Sequence, residues 1–321
     1  FWQVFRLAAP ARMAGNAGVL KHASNVPGCA LAIEDVFRKA GFPDHLFRTL
    51  MIPAQAVEPV IANQHVRAVT LTGSEAAGMQ VASLAGRELK KTVLELGGSD
   101  PYIVLDDANI DICVETAAAA RMINTGQSCI AAKRFIVVES RAAEFVEKLA
   151  RIMSNMIIGD PLLEETQVGP MARLDLRDEL HTQVRSTLAA GGRLVVGGNP
   201  MQGPGAYYES TVVADVQPGM SLYHEETFGP VAAIIPVRDT EAAVRVANDS
   251  DFGLGGSIWT QNVELGESLA RRIESGAVFV NGMTISDPRL PFGGIKRSGY
   301  GRELSYFGIR EFVNIKSIWI A

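Results

Sequence analysis

Apolar and polar positions along this chain switch repeatedly between a helical and a strand period. An apolar stripe of Trp2, Phe5, Leu7 and Ala8 predicts a helix over residues 1–14, stopped by Gly15-Asn16-Ala17-Gly18. Val19-Leu20-Lys21-His22 then reads as a short strand, and Pro27-Gly28 opens a second helix that runs through Ala30, Ile33, Val36 and Phe37 to the stop at Gly41-Phe42-Pro43. A strand at Leu50-Met51-Ile52, a short helix over 57–63, a β-branched strand over 68–72, a helix over 76–84 and a strand over 92–96 continue the pattern. In the second half, Asp106-Asp107 is placed to cap a helix that passes Cys113 and ends at Asn124-Thr125-Gly126. Strands follow over 134–138, 231–237, 256–259 and 277–281, with helices over 142–156, 174–190, 241–248, 263–273 and 301–311. The tail over 312–320 alternates like a strand. Strand–helix alternation of this kind predicts an α/β fold of right-handed βαβ units in mostly parallel sheets, with ligands beyond the carboxyl ends of the strands.

Composition narrows the class. The 321 residues exceed the usual ~100–200 per domain, so two domains, or one large α/β domain with an appendage, are expected. Hydrophobic residues at 47% and charged residues at 20% describe a globular chain, and a formal charge of −5 offers no electrostatic footprint for nucleic acid or an anionic membrane. No apolar run is long enough for a spanning helix. Cys29, Cys113 and Cys129 are too few and too irregularly spaced for a disulfide framework or a zinc site, which points to a reducing compartment, the cytoplasm.

The candidate chemistry is one carboxylate and one thiol. Glu95 lies in Leu94-Glu95-Leu96-Gly97-Gly98, and Cys129 lies in Gly126-Gln127-Ser128-Cys129, just past the predicted helix end. An ionised thiol is a strong nucleophile, and a carboxylate that takes a proton from water suits the hydrolytic half of an acyl-transfer cycle. Each residue alone has a plainer reading, the Cys as a small core residue and the Glu as a solvated turn residue. Cys113 within its helix and Cys29 at a helix start read as structural. Gly73-Ser74 follows a strand, with Ser74 placed as the N-cap of the next helix. The spacing from Gly73 to Gly78 is not the dinucleotide fingerprint and alone marks an ordinary strand-to-helix turn.

Four motifs, Leu94-Glu95-Leu96-Gly97-Gly98, Gly126-Gln127-Ser128-Cys129, Glu225-Glu226-Thr227-Phe228-Gly229-Pro230 and Pro291-Phe292-Gly293-Gly294-Ile295-Lys296-Arg297-Ser298-Gly299, occur in the order and spacing of the aldehyde dehydrogenase superfamily. The chain resembles that family over essentially its whole length, and most of all its bacterial succinate-semialdehyde branch. The resemblance implies a partial Rossmann-type cofactor domain over 1–97, a catalytic domain over 98–297, and a C-terminal helix and oligomerisation strand over 298–321. It further implies Cys129 as nucleophile and Glu95 as the base that activates water. Lys21, Ser24, Gly73, Ser74, Leu96, Glu226 and Phe228 would line the cofactor, and Arg289 and Phe292 in the entrance loop would meet the substrate. Many NAD-specific members carry a Glu where this chain has Ser24, so NADP is tolerated or preferred over NAD.

The implied activity is oxidation of an aldehyde, succinate semialdehyde foremost, to the carboxylic acid. Rival readings are a general aliphatic aldehyde dehydrogenase, a non-catalytic remnant or subunit of the same fold, and an acyl transfer to coenzyme A. A homodimer or homotetramer is implied, with no nucleic-acid or membrane partner. The chain opens at Phe1 inside a helix and so reads as an N-terminally truncated fragment, without the upstream Asn that helps bind the oxyanion in the family.

Overall fold

The computed structural model describes residues 1–321 and divides the chain into two compact units. The first comprises Phe1–Leu96, Ser286–Gly293 and Gly299–Ala321, and the second comprises Gly97–Ile285 and Gly294–Ser298.

The first unit begins with α1 (Trp2–Met13), β1 (Gly18–Leu20), α2 (Pro27–Lys39), β2 (Phe47–Thr49), α3 (Glu58–Ala62), β3 (Ala68–Thr72), α4 (Glu75–Arg87) and β4 (Lys91–Glu95). Strand β1 pairs in parallel with β2, and β3 in parallel with β4. The second strand forms at Phe47–Thr49, upstream of the apolar run Leu50-Met51-Ile52, because it is Phe47 that packs. Its ring stacks on Phe37 at 4.6 Å, inside a small core with Ala8 and Ile33. The face of α1 also differs from the predicted stripe: Trp2 is 47% exposed, while Arg6 is buried with Ala8 and Ala11.

The second unit is built on one seven-stranded sheet. Its elements are β5 (Pro101–Val104), α5 (Ile110–Met122), β6 (Arg134–Val138), α6 (Glu139–Ser154), α7 (Leu174–Ala189), β7 (Arg193–Val196), β8 (Thr211–Ala214), α8 (Ser221–His224), β9 (Val231–Val237), α9 (Thr240–Asn248), β10 (Phe252–Gly253), β11 (Ser257–Trp259), α10 (Val263–Ala270), β12 (Phe279–Val280) and β13 (Ile295–Lys296). The strand order is β12-β11-β5-β6-β9-β8-β7, parallel except for the antiparallel edge strand β7. Strands of a parallel sheet covered on both faces are apolar throughout. The four apolar residues of β6 are accordingly buried, Phe135 and Val137 in the core under α5 and α6 and Ile136 and Val138 in the core on the opposite face, and the charged Arg134 at its start is buried as well. Strand β5 has no alternation to betray it and was not among the predicted strands.

The helix after β5 is capped by Asn109, whose side chain accepts from Ile112 N, and not by Asp106 or Asp107. Asp107 instead accepts from Thr260 Oγ1 and from the N–H groups of Gln261 and Asn262.

Two elements return to the first unit. Strand β14 (Gly299–Tyr300) pairs antiparallel with β4, Gly299 opposite Glu95, and α11 (Ser305–Glu311) packs against α1. The tail beyond Phe312, predicted as a strand, is in no strand here, since a strand exists only with a hydrogen-bonding neighbour and this chain provides none. Ile315, Ile318, Trp319 and Ile320 are all at least 79% exposed. No helix is long and apolar enough to cross a membrane.

Truncating Phe135, fully buried at the centre of the large sheet, to Ala is expected to cost ~3–5 kcal/mol, whereas removing the Asn109 cap with Asn109→Ala is expected to cost ~1 kcal/mol. Urea unfolding of the two variants checks the ranking.

Candidate active site

Cys129 follows a backbone that leaves helix α5 abruptly. Three consecutive residues, Asn124 (φ 51°), Thr125 (φ 57°) and Gly126 (φ 74°), adopt left-handed conformations. For a β-branched residue such as Thr125 this is strained, and surrounding contacts must hold it. They do so from several directions. Asn124 Nδ2 donates to Gln127 O, Gln127 Oε1 accepts from Ala172 N, and the buried Arg121 donates through Nη2 to Gly126 O at 2.7 Å. Gly126 is also wedged against the chain at Gly229, where an added Cβ would lie 2.2 Å from the carbonyl oxygen. The consequence is a half-buried Cys129 on a fixed loop, outside any helix. No disulfide joins the cysteines, and burial pushes the Cys113 thiol up to about 12, so Cys113 is not a competing nucleophile.

Beneath Cys129 sits Lys133, fully buried. Its Nζ donates to the carbonyls of Ser128 (3.1 Å), Cys129 (2.9 Å) and Ala131 (3.2 Å), and Glu226 Oε1 lies 3.5 Å away. Burial lowers the Lys133 pKa, while Glu226, Asp100 and Cys129 oppose that shift. Glu226 Oε1 also accepts from Gly98 N at 2.9 Å, and a Cβ on Gly98 would meet Cys129 O at 2.7 Å. Glycine is therefore required at 98 for the backbone to approach the Cys129 loop. The adjacent Glu225 is engaged differently, by Gln183 Nε2 at 2.9 Å. Phe228, two residues after Glu226, is half-buried. The second unit thus brings Cys129, Lys133 and Glu226 together.

Glu95 ends β4 in the first unit and is 1% exposed, with neither carboxyl oxygen hydrogen-bonded within the protein. Burial, and then the charge of Glu303, push its pKa up to about 9, against the pull of Arg6 and Arg302. Arg6 and Glu303 form a buried ion pair at 2.7 Å, and Arg6 lies 4.3 Å over the ring of the buried Phe292. Phe292 and Glu303 exchange two backbone hydrogen bonds. Glu95 is therefore a protonated carboxylic acid at neutral pH in this conformation.

The expected cofactor residues of the first unit lie where strands end. Lys21 follows β1, and Gly73 and Ser74 follow β3, with Gly73 N donating to Glu95 O at 3.0 Å. Ser74 Oγ caps α4 by accepting from Ala77 N. Gly78 lets α4 settle on Leu96, whose Cδ2 would lie 2.6 Å from an added Cβ. An exposed strand-to-helix turn with α4's N-terminal dipole beyond it fits a dinucleotide phosphate, and the exposed Ser24 brings no carboxylate to repel a 2′-phosphate. Arg289 is exposed, and its guanidinium is already engaged by Asp287, whose carboxyl is held down at about 2 chiefly by that contact.

Sequence reasoning missed Lys133, Arg6 and Glu303. Arg6 interrupts the apolar stripe of α1, and Lys133 directly precedes β6, whose first residue is Arg134 and whose other four are apolar; a charge set against an apolar pattern was the available signal in both cases.

The profile of the aldehyde dehydrogenase family matches residues 1–318, and the chain belongs to that family. Among curated relatives, a probable NADP+-type succinate-semialdehyde dehydrogenase of Synechocystis is 55% identical over 321 residues, covering 100% of this chain and 71% of the relative. A succinate-semialdehyde dehydrogenase [NADP(+)] of Mycobacterium ulcerans is 53% identical, with 99% and 70% covered. The crystal structure of succinic semialdehyde dehydrogenase from Streptococcus pyogenes in complex with NADP+ superposes with a TM-score of 0.97 at 41% identity, over 100% of this chain and 70% of that one.

Because the folded chain keeps the Glu95 proton up to about pH 9 while an unfolded chain releases it near 4.5, stability falls across that window as pH rises, by ~1.4 kcal/mol per pH unit. Glu95→Gln removes that slope. The variant is expected to melt at higher temperature than wild type at pH 8.5 and to converge with it near pH 5, as read by thermal unfolding at both pH values.

Proposed function

We propose that the chain oxidises an aldehyde, succinate semialdehyde foremost, to its carboxylic acid, with NADP preferred over NAD as the acceptor. The observation that carries this is Cys129, held at the mouth of a strained loop beside Lys133 and Glu226, in a chain of this family. The names of the relatives support the aldehyde and the cofactor.

In the proposed cycle the Cys129 thiolate adds to the aldehyde carbon, and the Cys129 backbone N–H donates to the oxyanion of the resulting thiohemiacetal. A bound nicotinamide would supply the acceptor for the hydride that leaves the thiohemiacetal carbon. Glu226 would hydrogen-bond its ribose hydroxyls, Phe228 would pack beside its ring, and Lys21 and the Gly73–Ser74 turn would hold its adenosine end. The thioester left on Cys129 is hydrolysed by water that gives its proton to Glu95, and Cys129 is regenerated. Glu95 favours acid over coenzyme A thioester as product, since an acyl transfer to coenzyme A has no use for a base acting on water. Because the buried Glu95 holds its own proton until about pH 9, it serves as base only after losing it, so acid release accelerates as pH rises towards that value. Arg289 is assigned to the substrate carboxylate, exchanging Asp287 for it.

The exposed apolar tail residues Ile315, Ile318, Trp319 and Ile320 support pairing of this segment with a second copy, in a homodimer or homotetramer. Three cysteines without a disulfide support a reducing, cytoplasmic setting.

With succinate semialdehyde and NADP, Cys129→Ala is expected to give no reduced cofactor. Glu95→Gln is expected to give one equivalent in a burst and then turn over ~10²–10³-fold more slowly than wild type. Stopped-flow absorbance of the reduced nicotinamide distinguishes the two. Glu95→Gln turning over at the wild-type rate would rule out its role as base, and equal activity of Cys129→Ala would rule out the nucleophile.

A further inference from the structure

Lys133 is a buried cation on the Cys129 loop that the cycle above does not use. The three carbonyls around Nζ take three N–H donors, which only the ammonium form offers, so the group is charged although it is wholly buried. We propose that Lys133 is a positioning residue for the nucleophile, its ammonium holding the Cys129 loop in shape and stabilising the Cys129 thiolate. This rests on the reading of Cys129 as nucleophile.

The first half follows from peptide geometry. A trans peptide is planar, with its C=O and N–H pointing in opposite directions. Lys133 grips Ser128 O, so the N–H of the same peptide, that of Cys129, is turned away from the ammonium. That N–H is the oxyanion donor of the proposed cycle. A cation on the carbonyl end draws electron density from the amide and strengthens the N–H as a donor.

The second half is electrostatic. The charged groups facing Lys133 are Glu226, Arg121, Asp100 and Cys129. Attraction between the ammonium and the thiolate is mutual, so a thiolate that favours the charged lysine is favoured by it. Glu226 works against this, since its carboxylate neutralises the same ammonium at 3.5 Å. The two partners therefore act on the thiol with opposite sign: removing the lysine charge makes Cys129 harder to ionise, and removing the Glu226 charge makes it easier.

The test measures the pH dependence of Cys129 alkylation by iodoacetamide in the full chain, with the modified site located by peptide mass spectrometry. In Lys133→Met the midpoint is expected to rise by about one pH unit or more, which is a tenfold slower reaction below it, and in Glu226→Gln the midpoint is expected to fall. Lys133→Gln, which keeps a donor for the carbonyls and loses the charge, is expected to show the same rise and stands in if the Met variant does not fold. An unchanged midpoint in the lysine variants overturns the proposal. So does a shift of both sites' variants in one direction, because simple loosening of the loop would move them alike. Failure of the nucleophile reading looks different: wild-type protein whose Cys129 is fully alkylated would still oxidise aldehyde.

Discussion

An ammonium group inside a protein is tolerable only if every one of its N–H donors is matched and a negative charge is close, because the loss of hydration otherwise costs several kcal/mol. Lys133 imposes that demand on this chain. Meeting it requires the carbonyls of Ser128, Cys129 and Ala131 to converge on one point, and Glu226 to arrive from nearly a hundred residues downstream. Glu226 in turn takes the N–H of Gly98, which has no side chain to keep the backbone away from Cys129. Three motifs distant in sequence are thereby drawn around one cation. The left-handed turn at Asn124, Thr125 and Gly126 is what frees the loop carbonyls from helix α5 to face inward.

The two candidate reacting groups live under opposite electrostatic regimes. On the Cys129 side, charge is compensated: the Lys133 ammonium is met by the Glu226 carboxylate and by three backbone carbonyls. On the Glu95 side, it is not. Neither oxygen of Glu95 has a protein hydrogen bond, Glu303 is already spending the charge of Arg6, and the acid holds its proton. A base that is slow to ionise suits the proposed cycle, in which the thiol acts first and water is activated last.

Much of this architecture was legible in the sequence because amphipathic periods and turn residues speak for themselves. Strands over 68–72, 134–138 and 231–237 were read to the residue, since β-branched runs bounded by turns leave little choice. The misplaced strand near residue 50 and the overlooked one at 101–104 share a cause: pairing partners, not local composition, decide where such short strands form. The capping role expected of Asp106-Asp107 passed to Asn109 because Asp107 is drawn off by backbone N–H groups some 150 residues away, which no local pattern encodes. Among the candidate residues, Cys129, Glu95 and Glu226 could be singled out through motifs, whereas Lys133 offered only the weaker signal of a charge beside an apolar run. Its importance comes from complete burial, and a lysine immediately before a strand reads as a solvated strand end.

The most direct test of the mechanism is to quench the wild-type protein during turnover of succinate semialdehyde with NADP and to search its peptides by mass spectrometry for a bound acyl group. The mechanism predicts a thioester on the peptide bearing Cys129, and none on those bearing Cys29 or Cys113. Turnover with no acyl group on Cys129, or with one on either of the other cysteines, would contradict it.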